Sequence, residues 1–312
     1  MTAQARYKRV PVHGVLLLDK AAGISSTQAL ANAKRSLNAK KAGHTGTLDP
    51  FATGLLPLCF GEATKFASDL LDADKTYEAT VRLGVTTSTG DTEGHVLDTR
   101  EVKVTQAQIE QALIPFKGCI SQIPPMYSAL KRDGKPLYAY ARDGVTLERE
   151  ARNIIIHELE LVAFNASELK IRVRCSKGTY VRVLGEDIGK ALGCGAHLTQ
   201  LRRTAIAHLA VADAVTLSVL DEQAEPRSSL LLPVDTLTSR LPAVQLDDVL
   251  IRRFMHGQRL ALGKEVRDEN LADGFPKGRV RVLSHPGAFA GTAVINEHDV
   301  LIPERVISIT AC

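Results

Sequence analysis

Leu169-Lys-Ile-Arg-Val-Arg-Cys175 runs directly into Ser176-Lys-Gly-Thr-Tyr-Val-Arg182 and then into a helical pattern from about Val183 to Leu192. Leu169, Ile171, Val173 and Cys175 alternate with Lys170, Arg172 and Arg174. A period of two marks a strand with one buried and one wet face. Gly193 stands where a helix that follows would stop. Upstream, Tyr77, Ala79, Val81 and Leu83 alternate with Glu78, Thr80 and Arg82 in the same way, so both segments read as half-buried antiparallel strands. Gly14-Val-Leu-Leu-Leu-Asp19 is instead a continuous apolar run closed by Lys20-Ala-Ala-Gly23, which predicts a strand buried on both faces and then a turn. Ser25 with Gln28 fits a capping box, Leu30, Ala33 and Leu37 continue one apolar face, and Gly43 after Lys40-Lys41 is the expected helix stop. The following segment is therefore expected in the loop leaving that helix. Strands and helices mix without a regular βαβ period, which predicts an α+β fold.

The chain has 312 residues, 45% of them apolar. That length suits one large unit plus a smaller one, at roughly 100–200 residues per domain. After the polar segment Asp221–Ser229 and near Leu241-Pro242 the pattern resets. Gly278-Arg-Val-Arg-Val-Leu283 and Ala290-Gly-Thr-Ala-Val-Ile295 then predict a small β-rich tail. The expected units are 10–243 and 244–312. A formal charge of +4 and a pI near 8.8 are compatible with a polyanion partner without requiring one. Basic residues gather at Arg6-Tyr-Lys-Arg9 and from Lys34-Arg35 to Lys40-Lys41. Cysteines 59, 119, 175, 194 and 312 form no C-x-x-C pair, so neither a zinc site nor a disulfide framework is expected. No window approaches the roughly 18 apolar residues that span a bilayer, and the expected location is cytoplasmic, with no membrane association.

Residues 121–151 interleave cations and aromatics: Tyr127, Lys131-Arg132, Lys135, Tyr138, Tyr140, Arg142 and Arg149, with Gly134 and Gly144 as flexible points. Cations neutralise phosphate and aromatic faces stack on bases, so this reads as a nucleic-acid-gripping insertion. A surface hairpin with tyrosines turned to the core is the plainer alternative.

The chemistry centres on Gly43-His-Thr-Gly-Thr-Leu-Asp-Pro50. Two glycines and small threonines allow a sharp turn and close ligand approach, and Asp49-Pro50 ends it with a carboxylate on stiffened backbone. Such a carboxylate can act as a nucleophile. Taken alone, an Asp before Pro in a Gly-rich loop is more often a turn or a cap. Arg182 is the cation expected to keep Asp49 ionised and oriented, while Tyr77 and Tyr180 offer flat surfaces or a phenol that shuttles a proton.

With Gly14-Val-Leu-Leu-Leu-Asp-Lys20, the Asp49 segment, Ala52-Thr-Gly-Leu-Leu-Pro57, Gly61-Glu-Ala-Thr-Lys65, Asp74-Lys-Thr-Tyr77, Pro125-Met-Tyr-Ser-Ala-Leu-Lys131, Cys175–Arg182, Leu192-Gly-Cys-Gly-Ala-His197 and Leu201-Arg-Arg203, the chain resembles the bacterial TruB family. Members make pseudouridine at position 55 of tRNA. The resemblance runs in order from about residue 12 to about 240. It implies the pseudouridine-synthase fold, a mixed, largely antiparallel sheet with flanking helices, followed by a small RNA-binding tail of the PUA type. By the same resemblance Asp49 is the catalytic aspartate, attacking base or sugar, and His44 fills the gap left in the T-loop when the uridine is extruded. Tyr77 stacks on the flipped base and is a proton-transfer candidate. Tyr180, Arg182 and Leu201 are pocket residues, with Arg182 pairing Asp49, and Lys20 and Lys65 fall in motifs near the cleft. The implied partner is the T-arm of tRNA, bound by a monomer that needs no protein partner. Because the isomerisation exchanges a carbon–nitrogen for a carbon–carbon bond without redox change, no metal or cofactor is expected.

Two other readings compete. Thr45-Gly-Thr-Leu48 resembles part of the Asp-Lys-Thr-Gly-Thr motif of aspartyl-phosphate phosphotransferases, but there the nucleophile precedes the Thr-Gly-Thr run and here the carboxylate follows it. A tRNA-binding or tRNA-folding module would share every basic feature and tolerate loss of Asp49.

Overall fold

The computed structural model describes residues 9–224, 226–265 and 274–308, so Arg6 to Lys8 of the first basic run and Cys312 lie outside the described residues. The strands of the large sheet are β1 (Gly14–Lys20), β2 (Ala42–His44), β3 (Thr53–Phe60), β4 (Lys75–Leu83), β5 (Gly118–Gln122), β6 (Arg152–Asn165), β7 (Glu168–Cys175) and β8 (Ala196–Ile206). Helix α1 spans Ser26–Ser36 and α2 spans Val181–Ala191. The order across the sheet is β1-β3-β8-β4-β7-β6-β5, with β2 on β3 and the short strand Leu209–Ala210 on β8. All of these pairs are antiparallel except β3 with β8. The sheet is thus mixed and largely antiparallel with helices beside it, in agreement with the α+β reading.

The continuous apolar run of β1 reflects two cores. Leu16 and Leu18 join Leu56, Leu58 and Phe60 in the main core, which α1 and α2 cover. Val15 and Leu17, pointing the other way, join Leu55, Cys59 and Phe66 in a second cluster that includes Leu237 and Ile307. Strands β4 and β7 keep one wet face: Ala79, Val81, Leu169, Ile171 and Val173 are buried, whereas Glu78 meets Lys170 and Arg172 on the outside.

Helix α1 starts at the expected capping box, Ser25 with Gln28, but ends well before Gly43. Asn38 takes a left-handed φ of 48°. Its N–H donates to the Arg35 carbonyl (2.9 Å), and the Ala39 N–H donates to that of Lys34 (3.0 Å). This closes the helix end as asparagine can. The chain then enters β2, so Gly43 lies in a strand opposite Cys59 rather than at a helix stop. Helix α2 begins two residues earlier than expected, which puts Arg182 inside its first turn.

Beyond residue 242 a second sheet forms from β9 (Ala243–Leu246), β10 (Leu260–Ala261), β11 (Gly278–Ser284), β12 (Phe289–Ile295) and β13 (Val300–Val306), ordered β9-β11-β12-β13-β10. Helix α3 (Asp248–Met255) buries Leu250 and Phe254 against it. Contact with the first unit is specific: the Phe66 and Phe289 rings meet edge to face at 5.2 Å, and Arg281 Nη1 lies 3.0 Å from Asp235 Oδ2. Among the described residues no helix is long and apolar enough to cross a membrane.

Candidate active site

The loop joining β2 to β3 is anchored on both sides of Asp49. The Leu48 N–H donates to Ser26 Oγ (2.8 Å) and Ser26 Oγ returns a hydrogen bond to the Leu48 carbonyl (2.9 Å). One residue beyond Asp49, the Pro50 carbonyl accepts from the Gly23 N–H (2.9 Å) and from Lys20 Nζ (3.2 Å). Anchoring at both neighbours holds the carboxylate on a fixed backbone, as a preorganised site requires. Lys20 is fully buried, and its ammonium also donates to the carbonyls of Ala21 and Ile24, each at 2.8 Å. Burial brings its pKa down to about 8, although Asp49 opposes this. Its donors are engaged by backbone, so Lys20 ties the loop from behind.

Arg182 reaches Asp49 from the first turn of α2. Its Nε lies 3.0 Å from Asp49 Oδ2, and its Nη1 lies 3.3 Å from Asp91 Oδ2. Nη1 also donates to the Thr89 carbonyl (2.9 Å) and Nη2 to the Tyr127 carbonyl (2.6 Å). The guanidinium side chain is 5% exposed and Asp91 only 2%, whereas 35% of the Asp49 side chain is open. Asp91 is itself held by the Thr89 hydroxyl and the Glu93 N–H. Burial raises the Asp49 pKa above that of a free aspartate; Arg182 pulls it down, Asp91 pushes it up, and Lys20 pulls it down. The result is a basic carboxylate whose ionised form two cations support.

Tyr77 projects from β4 and Leu201 from β8 into the same cleft, which has a volume of about 1150 Å³ and is also walled by Tyr180 and the start of α1. Burial raises the Tyr77 pKa, with Arg203 opposing, so its phenol stays protonated at neutral pH. Gln122, buried at the end of β5, clamps the Tyr180 backbone by accepting from its N–H (2.8 Å) and donating to its carbonyl (3.1 Å). Burial raises the Tyr180 pKa too, while the Ser128 hydroxyl lowers it.

The fold therefore brings Asp49, Tyr77, Tyr180, Arg182 and Leu201 together. His44 sits half-buried on β2, outside the walls of this cleft, and burial followed by Arg203 lowers its pKa, leaving the ring neutral at pH 7. Lys65 is elsewhere. Its ammonium pairs with Glu62 (2.7 Å) and donates to the Val306 carbonyl (2.8 Å), fastening the second sheet to the first unit. The expectation that it borders the cleft is corrected: the helical turn Gly61–Phe66 directs it toward β13.

Asp91 and Arg203 carry parts of the site that the sequence reading did not assign. Asp91 lies in a polar loop, Thr89-Gly-Asp-Thr-Glu93, where an acid has no distinguishing signal. Arg203 is 1% exposed, lines the cleft, and donates from Nε to the Leu55 carbonyl (2.8 Å). Its place in the Leu201-Arg-Arg203 motif, two residues after Leu201 on a strand and so on the same face, is the available hint.

In the insertion, a hairpin (Lys131–Arg132 with Lys135–Pro136) leads into a short helix, Leu137–Arg142, and Tyr127, Tyr138 and Arg142 border the cleft. Arg142 lies 5.4 Å from the Tyr138 ring centre and Lys135 lies 4.6 Å from that of Tyr140. Arg149 turns inward to the carbonyls of Pro124 and Leu147. Two aromatic rings and one cation of the insertion thus reach the wall of the cleft.

Residues 34–181 match the TruB family pseudouridylate synthase N-terminal domain. Residues 182–239 match the tRNA pseudouridylate synthase B C-terminal domain, and residues 242–307 the pseudouridine synthase II TruB C-terminal family. A tRNA pseudouridine synthase B of Burkholderia mallei is 57% identical over 308 residues, covering 98% of either chain. One of Ralstonia pickettii is 54% identical, covering 96% of this chain and 95% of its own. The crystal structure of a Cbf5-Nop10-Gar1 complex contains a chain that superposes with a TM-score of 0.70 at 25% identity, covering 97% of this chain and 87% of that one.

Proposed function

The chain belongs to the TruB family of pseudouridylate synthases, and on that premise we propose that it makes pseudouridine at position 55 in the T-loop of tRNA with Asp49 as nucleophile. It is an enzyme, an isomerase that converts uridine in tRNA to pseudouridine. The observation that carries the residue assignment is the ion-paired set at the floor of the cleft, in which one buried guanidinium binds both Asp49 and Asp91.

The reaction breaks the bond from C1′ to N1, turns the base, and joins C1′ to C5. The hydrogen on C5 leaves as a proton and N1 ends protonated, so atoms and charge balance without an oxidant. A base stacked in a folded loop must first rotate out, at a cost of a few kcal/mol that the pocket repays with new contacts. Tyr77 and Leu201 supply the faces for the extruded base. Asp49, held by Arg182, attacks at the base or the sugar, and Tyr77 is placed to move the C5 proton. Arg203 behind Tyr77 favours the ionised form of the phenol as the proton moves. Tyr180 closes the wall next to Arg182, and His44 fills the gap in the RNA loop.

Residues 10–243 form the catalytic unit in this reading. Residues 244–312 form a PUA-like unit that grips RNA, and the insertion at about 121–151 clamps the T-arm. Lys65 serves the junction between the units, and Lys20 serves the Asp49 loop. The enzyme works as a cytoplasmic monomer without a protein partner.

Asp49→Asn is the direct test. The amide keeps size and shape but loses charge, so tRNA affinity should stay within a few-fold of wild type while pseudouridine formation disappears. Retained product would refute the nucleophile assignment. If RNA binding and folding were the whole function, the variant would serve as well as the wild type.

A further inference from the structure

Arg9, the described end of the first basic run, lies in space beside the start of the second. The Val10 N–H donates to the Asn38 carbonyl (2.9 Å) and the Lys40 N–H to the Val10 carbonyl (2.9 Å), so Arg9 lies beside the end of α1 that carries Lys34 and Arg35. Arg227 arrives from the other end of the first unit, its Nη1 donating to the Ser36 carbonyl (3.1 Å) and its Nη2 to the Asp221 carbonyl (3.0 Å). These four cations, with His13, wall a cavity of about 1100 Å³ whose lining, among the described residues, contains no Asp, Glu, Phe, Tyr or Trp.

Lys34 and Arg35 suit the carbonyl end of α1, where cations are favourable. Helix-end chemistry does not account for Arg9 joining them. Among the described residues Arg9, Lys34 and Arg35 enter no ion pair; Arg35 has a long contact to Asn32 Oδ1 (3.4 Å). Asp221 accepts from the Ser36 hydroxyl, and Glu62, whose N–H donates to His13 Nδ1 (3.1 Å), pairs with Lys65. Among the described residues the cavity thus gathers three cations without an ion pair, and no aromatic surface to read a base.

Its position supplies the ligand class. The first residues of α1 wall the active cleft and its last residues wall this cavity. Eleven residues make α1 about 16 Å long, within a few nucleotides' reach of the cleft. We propose that the cavity is a second RNA-contact site that holds phosphodiester groups of the RNA whose uridine enters the cleft. This rests on the tRNA-modifying activity proposed above. The site adds affinity and register, not chemistry, and reads charge rather than sequence.

The test uses full-length Lys34→Gln/Arg35→Gln and Lys34→Glu/Arg35→Glu proteins, with tRNA affinity measured from 50 to 200 mM salt. Each phosphate contact contributes roughly 0.7–0.9 to the slope of log affinity against log salt. The neutral pair should therefore flatten that slope by about 1.4–1.8 and weaken low-salt binding about tenfold or more. The charge-reversed pair should bind more weakly still. Turnover at saturating tRNA and the melting temperature should match wild type. An unchanged slope in both well-folded variants overturns the site, as does a change confined to the binding of inorganic phosphate. Wild-type product formation, measured in the same series, separates the two claims. An inactive wild type would sink the function, whereas an active one with the variants' slope would sink the cavity alone.

Discussion

Arg182→Lys keeps the charge at the floor of the cleft and removes the fork. The guanidinium makes four directed contacts: Asp49 at 3.0 Å, Asp91 at 3.3 Å, and the carbonyls of Thr89 at 2.9 Å and Tyr127 at 2.6 Å. An ammonium on a shorter stem is a point charge and cannot satisfy acceptors spread in this way. With Asp91 only 2% exposed, water cannot replace what is lost there. Hydrogen bonds to charged groups contribute about 1.5–3 kcal/mol each, so loss of two costs about 3–6 kcal/mol in total, shared between folding and catalysis. If half falls on catalysis, turnover drops by about ten- to a hundredfold, at about 1.4 kcal/mol per decade. The melting temperature should fall by several degrees. Because Arg182 holds the Asp49 pKa down against burial, loosening it should also move the acid limb of the pH–rate profile to higher pH. Release of tritium from C5-labelled uridine in tRNA measures turnover, and tRNA affinity should be unchanged. Turnover within threefold of wild type, with an unshifted acid limb, would show that Asp49 does not depend on the fork.

Glu186→Gln should stabilise the protein at alkaline pH. Burial on α2 pushes the Glu186 carboxyl up to about 7, with Arg182 opposing. The folded state therefore holds a proton that the unfolded state has released, and stability declines as pH rises from the ordinary value of 4.5 through about 7. The difference between these pKa values sets a ceiling of about 3 kcal/mol, which solvent access to this half-buried group reduces to about 1–2 kcal/mol. Thermal melts should show a gain for the variant at pH 8 and none at pH 4; a constant difference would refute the linkage. Gly54→Ala should destabilise by about 2–5 kcal/mol, combining backbone strain with overpacking. Gly54 has a φ of 102°, and a Cβ there would stand 2.3 Å from the Arg203 carbonyl oxygen across the β3–β8 pair. An unaltered melting temperature would contradict that close approach.

Much of the fold is legible because local rules and tertiary structure agree. The alternation in β4 and β7 survives because each of those strands has one wet face, and the Ser25–Gln28 box forms because its partners are three residues apart. The end of α1 departs from its local pattern for a similar reason. Gly43 looked like a stop, but Asn38 takes the left-handed turn first, and pairing with β3 claims Ala42–His44 as a strand. Residue 43 had no local feature that distinguishes a helix end from an edge strand.

In the site, the residue types and their order were legible along the chain: a carboxylate stiffened by proline in a glycine-rich turn, a tyrosine on an alternating strand, and an arginine before a helical run. Those properties depend on neighbours along the chain, whose spacing is set by covalent geometry. Which charges meet was set by packing. Asp91 joined the Arg182 network, Lys65 went to the junction with the second sheet, and Arg9, Lys34, Arg35 and Arg227 gathered around one cavity. Electrostatic partnership depends on distance through space and on how much water remains between the groups. Both are products of the packed fold, with strands from distant parts of the chain side by side, and no local pattern encodes them.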